Sequence, residues 1–96
     1  MPLTMVITRD VEARYRGFLT SLMLELSPGV YAAPDLSAGV RERLWTVVSG
    51  WHEALGRGAV VMVWRDTKVS GKLRILSLGE PPKSIVDADG VLLVKR

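Results

Sequence analysis

Ala59-Val60-Val61-Met62-Val63-Trp64 is an unbroken apolar run in which three residues are β-branched, with Gly56-Arg57-Gly58 before it and Arg65-Asp66 after it. A run this short, punctuated by glycine and charge, reads as a strand, and its lack of polar alternation predicts a central one covered on both faces. After a polar turn over 66–71, Leu73-Arg74-Ile75-Leu76-Ser77-Leu78 reads as its antiparallel partner. A sheet is therefore the frame, and the segments on either side must pack against it.

Upstream, Met5-Val6-Ile7-Thr8 is a short β-type run, and Asp10 is placed to cap the helix that follows. Val11, Tyr15, Phe18, Leu19, Leu22, Met23 and Leu26 recur at helical spacing and predict one amphipathic helix up to Pro28-Gly29. Val30-Tyr31-Ala32 reads as a brief strand closed by Pro34-Asp35. Ser37 is the next N-cap candidate, and Val40, Leu44, Val47, Val48, Trp51 and Leu55 predict a second helix ending at Gly56. Downstream, residues 79–83 form a linker with Pro81-Pro82, and Ile85 to Val94 reads as a C-terminal hairpin or arm.

The predicted order is β-α-β-α-β-β plus that arm. Two helices on one face of a mainly antiparallel sheet make a ferredoxin-like α+β two-layer sandwich. Residues 1–82 are expected to form the core domain and 83–96 an arm for partner docking. An almost continuously apolar arm is hard to satisfy within so small a domain, and it predicts pairing with another chain.

Composition points the same way. A chain of 96 residues makes one domain and buries only about 60–65% of its unfolded surface. Without cysteine, neither a disulfide nor a thiolate zinc site reinforces the core, so a partner subunit is the economical expectation, as a homodimer. Arg9 and Asp10 arrive too early for a signal peptide and the apolar runs are too short to span a bilayer, so a cytoplasmic, membrane-free protein is expected. The net charge of +3 and pI near 9.7 favour acidic partners.

The residues offer little catalytic chemistry. There is one histidine, His52, in mid-helix beside Trp51, and it reads as an ordinary helix-boundary residue rather than a base. Asp87-Ala88-Asp89-Gly90 lacks the further oxygen ligands of a calcium loop and reads as a turn. Asp10, at a strand end opening a helix, is the one acid placed as small metal-dependent nucleases place theirs, and a twofold axis would bring two copies to one divalent ion. The basic residues Arg9, Arg14 and Arg16, with Arg41 and Arg43 on the second helix, group into a candidate phosphate-binding patch. Trp45, Trp51 and Trp64 are expected in the core or an interface.

Thr8-Arg9-Asp10-Val11, Arg14-Tyr15-Arg16-Gly17, Leu24-Glu25-Leu26, Gly29-Val30-Tyr31, Leu36-Ser37, Arg41-Glu42, Trp45 and Val60 to Trp64 together resemble CRISPR-associated protein two of the type I-E subtype, nearly end to end. The resemblance implies a ferredoxin-like homodimer that bridges dimers of the integrase, CRISPR-associated protein one, and lies along double-stranded DNA during spacer acquisition. It assigns DNA-backbone contacts to Arg14 and Arg16 and, more weakly, to Lys83. It assigns integrase docking to the tail, with Ile85, Val86, Val91, Leu92, Leu93 and Val94 as its apolar residues. Such a scaffold needs no cofactor. The alternative it carries is a Mg- or Mn-dependent endonuclease acting on RNA or DNA, with Asp10 as catalytic and metal residue. In an ungapped match, however, the family's acidic position holds Arg9, and Asp10 needs a one-residue shift.

Overall fold

The computed structural model describes residues 3–66, 72–79, 84–88 and 91–95. The chain runs β1 (Thr4–Arg9), α1 (Ala13–Thr20), β2 (Leu24–Ser27), β3 (Val30–Ala33), α2 (Ala38–Leu55), β4 (Ala59–Asp66), β5 (Lys72–Leu78), β6 (Ser84–Ala88) and β7 (Val91–Lys95). The first five strands form one antiparallel sheet in the order β2-β3-β1-β4-β5, while β6 and β7 pair as a sheet of their own. The β1-α1-β2-β3-α2-β4 part is the ferredoxin-like unit, and β5 extends it at one edge.

The first correction concerns α1. The helical spacing from Val11 to Leu26 predicts one long helix, but α1 stops at Thr20 and Leu24 to Ser27 is a strand. Two local causes end the helix. The hydroxyls of Thr20 and Ser21 donate back to the Arg16 and Phe18 carbonyls, offering the last turn an alternative to continuation. Pro28-Gly29, with Gly29 at φ 81°, suits a tight turn joining Ser27 to Val30, which are register partners. Leu24-Glu25-Leu26-Ser27 alternates with period two, and cross-strand pairing decides in favour of that pattern.

The second correction concerns Asp10, which does not cap α1. The N-cap position belongs to Glu12, whose side chain makes no capping bond, and Asp10 sits before it in the left-handed region at φ 57°. Aspartate is among the few non-glycine residues that enter this region readily. Ser37, by contrast, caps α2 as expected, its hydroxyl accepting from the Val40 amide at 3.3 Å, and Gly56 closes that helix in the left-handed conformation at φ 61°.

The core lies between the helices and one sheet face. Tyr15 and Leu19 of α1 and Leu44 and Val48 of α2 meet Val6, Tyr31, Val60 and Met62 of the sheet, all essentially inaccessible. Burying a side chain of this kind contributes about 1.5–3 kcal/mol. The expectation that β4 is covered on both faces is half right. Val60 and Met62 face the helices, while Val61 and Val63 alternate onto the other face and are only half-buried. The helices lie on one side, and nothing among the described residues is seen to seal the other.

Candidate nucleic-acid interface

The structure separates the basic residues that the sequence grouped. Arg14 and Arg16 are two positions apart on α1, so they point to different sides of the helix. Arg14 leans towards α2, its guanidinium 5.7 Å from the centre of the Trp51 ring. Trp51 is itself held by edge-on contacts with Tyr15 at 5.1 Å and Phe18 at 5.5 Å, so Arg14 rests on a fixed aromatic surface. Arg16 turns the other way, to β2, where its Nε and Nη2 donate to the Glu25 carboxylate at 3.0–3.2 Å. That bond is the first cause of the raised pKa of Arg16, which stays cationic throughout.

Arg41 lies at the start of α2, 4.4 Å from the centre of the Trp64 ring. Ten residues of helix separate it from Trp51, about 15 Å at the α-helical rise. Arg9 alternates onto the sheet face away from the helices, opposite Ala59. What looked like one patch is therefore Arg14 and Arg16 on different sides of α1, a separate arginine–tryptophan stack near the far end of α2, and Arg9 on the other side of the sheet.

Asp10 has a definite partner. The Arg57 Nη2 donates to its Oδ1 at 2.9 Å, tying the exit of β1 to the loop between α2 and β4, and this bond heads the causes that raise the Arg57 pKa. The backbones meet closely at the same place. A side chain at Gly58, which adopts φ 81°, would overlap the Asp10 carbonyl oxygen, and one at Gly79 would overlap the Gly58 carbonyl oxygen. His52 sits against this seam with Nε2 3.1 Å from the Gly58 carbonyl oxygen, a structural place that agrees with the boundary role expected of it. Among the described residues there is no cluster of three His, Asp, Glu or Cys suited to a metal ion. The Asp10 carboxylate thus faces the Arg57 guanidinium, with Arg9 adjacent in the chain.

A near end-to-end match settles the family. A family model described as CRISPR-associated protein (Cas_Cas2CT1978) covers residues 3–93. The chain belongs to that Cas2 family.

The remaining expected sites of this Cas2 chain fall in its last third. Lys83 lies outside the described residues. Ile85 and Val86 are on β6, and Val91, Leu92, Leu93 and Val94 are on β7, with Ile85 opposite Val94, Val86 opposite Leu93 and Ala88 opposite Val91. The expected hairpin is thus present as a paired two-stranded unit. Among the described residues no helix is long and apolar enough to cross a membrane.

The sequence reading missed the residues that hold the arginines. Glu25 lay on what was read as the polar side of a long helix, and only its place on β2 brings it to Arg16. Trp51 is expected from the sequence in the core or an interface, with no sign that Arg14 would lie on it. The partner of Asp10, Arg57, is 47 residues away in sequence and carries no local signal.

Proposed function

We propose that this Cas2 chain is a non-catalytic, cytoplasmic, dimeric adaptor of the type I-E kind, which binds the backbone of double-stranded DNA and bridges integrase dimers during spacer acquisition. The observation that carries the DNA reading is that Arg14 and Arg16 both extend from α1 with their guanidinium groups anchored by neighbouring side chains, Arg16 at 71% exposure. Guanidinium forks so placed match phosphate oxygens and carry no sequence preference. The bare sheet face supports the dimer. Ile7 and Leu24 lie there at 42% and 66% exposure, beside half-buried Val61 and Val63, a surface that a second copy would cover. The β6–β7 hairpin, apolar in sequence and a two-stranded sheet of its own among the described residues, supports integrase docking through Ile85, Val86, Val91, Leu92, Leu93 and Val94.

The endonuclease alternative is disfavoured by the Arg57–Asp10 ion pair. The deciding test replaces Arg14 and Arg16 by alanine together. Duplex binding should weaken across unrelated sequences, and the slope of log affinity against log salt should fall by about two contacts per protomer. An unchanged affinity and slope would remove these arginines from the interface. Metal-stimulated cleavage by highly purified protein that disappears in Asp10→Asn would restore the endonuclease.

A further inference from the structure

The Arg16–Glu25 contact has a particular geometry. The carboxylate takes the Nε hydrogen and one Nη2 hydrogen, at 3.2 and 3.1 Å from Nε and 3.0 Å from Nη2. A guanidinium has five N–H donors, so both Nη1 hydrogens and the second Nη2 hydrogen have no partner among the described residues. These form the end of the fork, directed away from Glu25. The two partners are unequally exposed, Arg16 at 71% and Glu25 at 22%, so the acid is seated and the base projects.

Glu25 is also firmly placed. It lies on β2 opposite Tyr31, whose ring is buried and whose hydroxyl is pushed up first by that burial and then by the Glu25 carboxylate beside it. A register shift between Glu25 and Ser27 separates this pair from the Pro28-Gly29 connection. A carboxylate opposite the buried Tyr31 ring thus meets, through Nε and Nη2, an arginine projecting from the neighbouring helix.

We propose that Glu25 is a positioning residue for phosphate binding: it holds the Arg16 guanidinium so that its free Nη1–Nη2 end faces the DNA backbone. This rests on the assignment of Arg16 to the DNA interface. A free arginine side chain must give up its rotamer freedom when it grips a phosphate, and pre-ordering by Glu25 removes part of that loss in advance. Charge counting alone makes the opposite prediction. Removing an acid beside a phosphate-binding cation should tighten binding, because the local field becomes more positive. The sign of the effect therefore separates positioning from simple electrostatics.

The test measures duplex affinity over a range of salt for the wild-type chain, Glu25→Gln, Glu25→Ala, Arg16→Ala and the Arg16→Ala, Glu25→Ala pair, with thermal melting to confirm folding. Positioning predicts that Glu25→Ala weakens binding about two- to tenfold, the range expected for re-ordering one long side chain. Glu25→Gln, which keeps one acceptor, should fall between it and wild type. The salt slope should stay at the wild-type value in both, since the phosphate contact is still made, and Glu25→Ala should have no effect once Arg16 is absent. Tighter or unchanged binding in Glu25→Ala, with Arg16→Ala still weakening it, overturns the positioning role and leaves the DNA interface standing. An effect of Glu25→Ala that persists without Arg16 overturns it too, by showing that Glu25 acts through the hairpin. If Arg16→Ala itself changes nothing, the DNA assignment of Arg16 fails, and this inference fails with it.

Discussion

The two faces of the five-stranded sheet are built from the same strands by alternation, yet they have different fates. On one face Val6, Tyr31, Val60 and Met62 are sealed under α1 and α2 at 2% exposure or less. On the other, one residue away along each strand, Ile7 and Val61 stand opposite each other with no helix above them. An antiparallel sheet with one wet face ordinarily carries polar residues there, and this one carries isoleucine, valine and leucine. The covered face accounts for the fold of the single chain, and the bare face is what supports the proposed dimer.

The largest effect expected from this contrast comes from neighbouring residues on β4. Met62→Ala opens a cavity under the helices and should lower unfolding stability by about 2–5 kcal/mol, read from the denaturant midpoint. Val63→Ala, on the bare face, should cost the monomer far less, and its penalty should grow with protein concentration as a dimer becomes the species that unfolds. Equal penalties independent of concentration would mean that the bare face is not an interface. A sharper probe is Ile7→Glu, which places a charge at the middle of that face. The variant should remain folded by circular dichroism and sediment as a monomer at concentrations where the parent chain is a dimer. A folded dimer would move the interface elsewhere, and an unfolded chain would show that the face is already part of the monomer core.

How much of this was visible in the amino acids depends on the range of the interaction. The central strand, the Ser37 cap, the Gly56 terminus and the C-terminal hairpin rest on signals within a few residues and were legible. The end of α1 was not, because Leu22, Met23 and Leu26 fit a helical period and only pairing with β3 shows that Leu24 to Ser27 is extended. Coverage of β4 was misjudged for a related reason. An apolar run says that both faces avoid water, and it does not say whether the cover comes from the same chain. At the proposed site, the resemblance singled out Arg14 and Arg16, while their contacts with Trp51 and Glu25 arise from tertiary structure and leave no local signal.

A smaller effect is expected at the seam where β1, the α2–β4 loop and the end of β5 meet. Asp10 and Arg57 are both exposed, so each single change, Asp10→Asn or Arg57→Ala, should lower the melting temperature only slightly. The double variant should be no worse than the weaker single, because both remove one contact. The bare face supplies the contrast here as well: these substitutions should leave the sedimenting species unchanged. Loss of the dimer in either variant would show that the partner reaches this end of the sheet.

The smallest effect belongs under the helices. The Tyr15 hydroxyl is buried and finds no hydrogen-bond partner among the described residues, so Tyr15→Phe removes a polar group that gains nothing from them. Stability near neutral pH should lie within about 1 kcal/mol of the parent chain, with any change favouring the variant. The pH dependence gives the finer reading. Burial first, and then the charge of Glu12, raise the Tyr15 pKa above its ordinary value of 10.0, against a lowering by Arg14. The folded state thus favours the neutral phenol more strongly than the unfolded state does. That contribution is fully present below pH 10.0 and is lost as the pH rises through the higher folded value, because the unfolded chain gives up its proton first. Denaturant midpoints followed from neutral to strongly alkaline pH should therefore fall less steeply in Tyr15→Phe, with the remaining slope owed in part to Tyr31, which is shifted in the same direction. Parallel alkaline limbs in the two proteins would mean that the Tyr15 hydroxyl reaches water in solution, and that the covered face is less tightly sealed than its contrast with the bare face requires.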